Sequence, residues 1–314
     1  VNHKIIYIHG VNTRKHKYDQ HYANDLDRLI GFSLENKNVR LSNSLALFWG
    51  NVHDQEEENL LARVKLCDAW NDLQLKSFRE KQVLQFVGDA ALYISRMVGK
   101  QVVNALHAQI VADQATMGAD GYRNTIVHLV AHSWGTIILF DLLFADRWTD
   151  ALLDQETREK VQSIRNIFFG IDPTPDQGTL VGSINTMGSP IALFSLMNKD
   201  TDGSHSISAN LSKLIAALGK RLKGDQVPWN NFLHPGDLIG WPLEKVLPPI
   251  LCEAAPIDIN DILTETPGIE CWEPISLMLT GQAHGSYWTN QTVAEKIGST
   301  IQATQALATI AANS

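Results

Sequence analysis

The chain has 314 residues, 44% of them hydrophobic and 19% charged, with a formal net charge of -8. That length suits one large α/β domain or two modest ones, and the acidic balance argues against nucleic acid as a partner, because phosphate binding needs a basic surface. Three cysteines, Cys67, Cys252 and Cys271, are scattered and odd in number, so neither a disulfide framework nor a zinc site is indicated.

Along the chain, KIIYIHG (residues 4–10) reads as a short buried strand ending at a glycine. DQHYANDLDRLIGF has helical spacing, and SLALFWG (44–50) reads as a second strand. Residues 56–75 are expected to be helical and charged, and 80–109 to form a longer amphipathic helix bent at Gly88 and Gly99. Next come the strand TIVHLVA, a tight turn, and TIILFDLLFADRW, a helix apolar on nearly all sides. Such a helix in a soluble chain is buried against a sheet. IRNIFFG and GSINTMG are further strand candidates, the second leading into Gly188, Ser189 and Pro190. ISANLSKLIAALGKRLKG is an amphipathic helix, basic at its C-terminal end as the helix dipole favours. A partial cap is expected from this insertion, about residues 203–227. WNNFLHPGD and ISLMLTG are the last strand candidates, and TVAEKIGSTIQATQALATIAA closes the chain as a helix.

Strands alternating with helices predict an α/β fold: a mostly parallel twisted sheet with helices on both faces and helical insertions. The sequence has no internal repeat and no long linker, so residues 1–314 are read as one domain. The most apolar run, 125–144, is interrupted by His128, His132, Ser133 and Asp141 and makes a poor membrane span. The amphipathic segments 80–109 and 207–223 leave room for peripheral contact with a membrane surface. A cytoplasmic location is the expectation, with removal of an N-terminal targeting segment left open because the chain opens on Val1.

The chemistry centres on Ser133 in Ala-His-Ser-Trp-Gly (131–135), between a strand and a helix. A turn that lifts a side chain above the sheet there puts its residue at positive φ and crowds its neighbours. Ala131 and Gly135, two residues away on each side, relieve that crowding. The turn also aims the Trp134 N–H back over the sheet at a helix N-terminus, where an anion is welcome.

A serine hydroxyl needs a base, and the base needs an orienting acid. His284, in a glycine-containing loop beyond the last predicted strand, is the candidate base, and Asp237, beyond the preceding strand, the candidate acid. Both fall where an open parallel sheet places its active site. His132 competes as base, but adjacency to Ser133 suits it better to packing or orienting. Asp172, after another strand candidate, is the rival acid. A tetrahedral oxyanion needs two donors, and the N–H groups of Trp134 and Val11 are the candidates, with Asn12 second to Val11.

These pieces resemble the α/β-hydrolase superfamily: YIHGVN as its oxyanion loop, AHSWG as its nucleophile elbow, HPGD and QAHGSYW as its acid and base loops. The resemblance runs from Lys4 to about Trp288 and implies an eight-stranded-type core with the triad Ser133, Asp237 and His284. Ala131 stands where that superfamily usually has glycine, and its first two strands have no counterpart here. TMGSPIALF with HPGD and AHGSYW resembles a lipase-like and serine-esterase-like subgroup that includes lipid deacylases.

The expected reaction is hydrolysis of a small-molecule or lipid ester through an acyl-enzyme, with no cofactor and no metal. His16, Asp19 and His21 form the nearest metal-like cluster, but histidines five apart do not share a helix face. Trp49, Trp134, Tyr287 and Trp288 are either an apolar acyl pocket or packing beneath the loops. A thioesterase or amidase on the same residues, and a non-catalytic binding module, are the alternatives.

Overall fold

Asn2–Ile8 (β1) and Thr125–His132 (β4) are buried at nearly every position, with neighbouring side chains sent to opposite faces. Ile5 and Tyr7 enter one apolar cluster while Ile6 and Ile8 enter another on the far side of the sheet. A strand apolar on both faces must lie inside a sheet covered on both, and this one does. The structure, a computed structural model, describes residues 2–11, 21–50, 52, 54–74, 76, 80, 96–117, 125–144, 148, 153–169, 179–194, 226–248, 257–264 and 282–312.

The remaining strands are Arg40–Leu41 (β2), Leu45–Leu47 (β3), Leu180–Met187 (β5), Val227–Leu233 (β6) and Ile257–Leu263 (β7). Among the described residues they form a seven-stranded sheet in the order β2-β1-β4-β5-β6-β7, with β3 also paired to β1. Every pairing is parallel, with Ile8 opposite Ala131 and His132 opposite Met187.

Helices Asn24–Ser33 (α1) and Gln291–Ala312 (α6) cover one face through Leu26, Ile30, Val293, Ile297 and Ile301. Each such buried aliphatic contributes roughly 1.5–3 kcal/mol. Arg96–Thr116 (α3), Trp134–Phe144 (α4) and Gln155–Phe169 (α5) cover the other. The charged segment expected at 56–75 is helical over Asp54–Lys65 (α2) and again over Ala69–Asp72. Among the described residues, no helix is long and apolar enough to cross a membrane.

Two expectations need correction. IRNIFF, the described part of IRNIFFG, belongs to the end of α5, not to a strand. Its β-branched and aromatic residues mimic a strand locally, yet Val161, Ile164 and Phe168 recur at helical spacing and are buried together. β7, for its part, went unpredicted. Among the described residues it pairs with β6 alone, and its alternating Asp and Asn leave it half exposed. The ISLMLTG strand, the 203–225 insertion and residues 81–95 of the long helix lie outside the described residues.

The strand order reverses between β1 and β4. From β1 the chain moves outward to β2 and β3, and from β4 it builds β5 to β7 on the other side. The loops after β1 and β4 therefore part here and leave a crevice at the carboxyl ends of the strands. Gly10 and Ser133 both lie at that crevice.

Candidate active site

Ser133 directly follows β4 and has φ 53°, in the left-handed region that non-glycine residues seldom occupy. Its N–H donates to the Met187 carbonyl (2.9 Å), and its own carbonyl accepts from Thr136 N–H (3.0 Å) and the Thr136 hydroxyl (2.7 Å). Those bonds hold the strained residue between β4 and α4. A Cβ on Gly135 would lie 2.4 Å from the His9 carbonyl oxygen, so the sequence needs glycine there for close approach. A Cβ on Gly10 would fall 2.5 Å from Ser133 Cβ and 3.0 Å from its Oγ. The β1 loop thus lies directly against the serine.

Asp237 and His284 reach the same point from later loops. Asp237 sits beyond β6, where its N–H donates to the His234 carbonyl (2.9 Å) and its Oδ1 accepts from Ile239 N–H (2.9 Å). His284 lies in the short helical turn Gln282–Gly285. Its Nδ1 is 3.0 Å from both carboxylate oxygens of Asp237, and its Nε2 is 2.6 Å from Ser133 Oγ. A carboxylate only accepts, so Nδ1 donates. In the neutral ring Nε2 is then left to accept from the serine hydroxyl. The Asp237 side chain is 1% exposed and that of His284 is 21% exposed, so water reaches the ring but not the acid that orients it.

Two further residues lock this arrangement. The Tyr287 hydroxyl donates to Asp237 Oδ2 (2.8 Å) and accepts from His234 N–H (2.9 Å). Burial, then the Asp237 charge, pushes that phenol well above its ordinary range, so it stays protonated and able to donate. His132 Nε2 is 2.6 Å from the His284 carbonyl, which only accepts, so His132 donates there. Burial and the neighbouring His284 lower the His132 pKa to about 3, which keeps it neutral. His132 therefore holds the backbone of His284.

Burial pushes the Asp237 carboxyl upward, but the bond and charge of His284, Ile239 N–H and Tyr287 outweigh it and hold the pKa at about 2. A carboxyl held below its ordinary value of 3.8 adds stability above that value and loses it as pH falls through about 2. Acid titration between about pH 4 and 2 is expected to remove about 2 kcal/mol of stability through this one group. Urea unfolding across that window, compared with Asp237→Asn, checks it: the variant should show the shallower slope.

Ser133, His284 and Asp237 are thus brought together. Val11 stands in the turn after β1, half-buried, and Trp134 is the first residue of α4. Asp172, Asn12, His16 and Asp19 lie outside the described residues. Of the four aromatic residues read either as an acyl pocket or as packing, Trp49, Trp134 and Tyr287 are buried and Trp288 is partly open. Tyr287 was legible as an aromatic but not as a partner of Asp237, because its hydroxyl meets the carboxylate only after the 3-10 turn Ser286–Thr289 forms.

The chain matches no protein-family model, no curated protein and no solved structure.

Proposed function

We propose that this chain is a serine hydrolase of the α/β-hydrolase superfamily that cleaves carboxylic esters. The observation that carries this reading is the unbroken line from Ser133 Oγ to His284 Nε2 (2.6 Å) and from His284 Nδ1 to Asp237 (3.0 Å), with the serine at φ 53°. A structural turn serine needs none of these bonds.

On this reading Ser133 Oγ attacks the ester carbonyl carbon while His284 Nε2 takes its proton. The carbonyl π pair moves onto oxygen, and the N–H groups of Val11 and Trp134 receive that negative charge. Collapse of the adduct breaks the bond to the alkoxy oxygen, which leaves as the alcohol with the proton from His284. Water, deprotonated by the same nitrogen, then attacks the acyl-enzyme and releases the acid with Ser133 restored. Asp237 holds the ring in the Nδ1–H tautomer and stabilises the imidazolium that forms twice per turnover.

Hydrolysis of p-nitrophenyl acetate, butyrate and octanoate, beside the matching anilide and thioester, tests the bond class. Turnover of the oxygen esters above both analogues supports an esterase. Preference for the thioester or anilide would reassign the reaction, and inertness toward all of them would support a binding role.

A further inference from the structure

The close approach of Gly10 to Ser133 creates a difficulty that His9 resolves. Only glycine fits at position 10, yet glycine leaves the peptide between residues 10 and 11 free to rotate. That peptide carries the Val11 N–H. A donor that swings away does not stabilise charge, because stabilisation of an oxyanion depends on donors fixed in advance.

His9 is buried, and both of its ring nitrogens are engaged. Trp49 N–H donates to His9 Nε2 (3.1 Å), which fixes that nitrogen as the acceptor and puts the ring proton on Nδ1. Nδ1 lies 2.6 Å from the Gly10 carbonyl oxygen and donates to it. The ring is held in turn: Trp49 stacks on it at 5.2 Å between centroids with an interplanar angle of 5°, and Tyr22 packs edge-on at 5.1 Å. Trp49 Nε1–H also donates to the His9 carbonyl (2.9 Å). In a trans peptide C=O and N–H point in opposite directions, so anchoring the Gly10 carbonyl at the ring turns the Val11 N–H away from it.

We propose that His9 is a positioning residue that fixes the Gly10–Val11 peptide and so holds the Val11 N–H ready for the oxyanion, an inference that rests on the serine-hydrolase reading. Trp49, on this account, sets the tautomer that makes His9 a donor.

The two nitrogens separate by substitution. His9→Asn places an amide donor where Nδ1 stands and keeps a donor for Gly10, whereas His9→Gln places its amide at the Nε2 position and keeps only an acceptor for Trp49. With p-nitrophenyl butyrate, His9→Gln is expected to lose about 10²–10³-fold in kcat with KM little changed, the usual cost of one oxyanion donor. His9→Asn should recover to within about tenfold of wild type, with both variants folded by circular dichroism. Nitrogen-15 NMR of histidine-labelled wild type should show the Nδ1–H tautomer for His9. Equal kcat losses in both variants, no loss in either, or an Nε2–H tautomer would overturn the role of His9 while leaving an active wild type as a hydrolase. A wild type that neither hydrolyses the ester nor reacts with a fluorophosphonate would overturn the hydrolase reading, and His9's role with it.

Discussion

Ser133→Ala is expected to lower kcat against p-nitrophenyl butyrate by about 10⁴-fold or more. Removing the nucleophile from an assembled Ser-His-Asp set removes nearly all that the set contributes, leaving only what binding and the oxyanion donors supply. Folding should barely change. The backbone at φ 53° stays as strained with alanine as with serine, and only the bond from Oγ to His284 is lost. A shift in unfolding free energy within about 1 kcal/mol, read by urea titration, would show that the activity fell for a chemical reason.

Asp237→Asn is expected to cost about 10⁴-fold in kcat near neutral pH. Asparagine keeps the size of the side chain but carries an amide that donates as well as accepts. His284 is then no longer obliged to keep its proton on Nδ1. In the other tautomer Nε2 bears the proton and does not accept from Ser133. Asp172→Asn serves as the control for the rival acid. Because both Asp237 oxygens already lie 3.0 Å from His284 Nδ1, the Asp172 variant should stay near wild type. Reversal of the two results would give the acid role to Asp172.

Much of the candidate site's arrangement was readable before any coordinates, and the reason is local. The β4 strand, Ser133 and α4 are consecutive, so the small residues Ala131 and Gly135 report the geometry of the turn directly. Asp237 was reachable because it follows β6, whose place in the parallel sheet is set by topology, whereas the strand expected before His284 lies outside the described residues. Bonds between distant segments were not legible. Tyr287 meets Asp237 across 50 residues, and Trp49 N–H meets His9 across 40, with neither spacing leaving a periodic trace. The trace was also misleading where tertiary packing overrode local propensity. Arg165, inside IRNIFF, is buried and its Nε–H donates to the Leu142 carbonyl (2.7 Å), a contact that the helical course of α5 allows where a strand was expected. Among the described residues β7 is the edge of the sheet, and an edge tolerates the Asp and Asn residues that concealed the strand. One of them, Asp261, accepts from Leu243 N–H (2.9 Å) and Asn231 Nδ2 (2.7 Å), ties the strand to the loop after β6, and so helps hold the acid loop in place.

Everything in the proposed reaction rests on Ser133 being an activated nucleophile. Purified protein is treated with a fluorescent fluorophosphonate beside Ser133→Ala, digested, and the modified peptide identified by mass spectrometry. One covalent adduct is expected on Ser133 and none in the variant. Folded wild type that remains unlabelled, or labelling that persists in Ser133→Ala, would contradict that expectation.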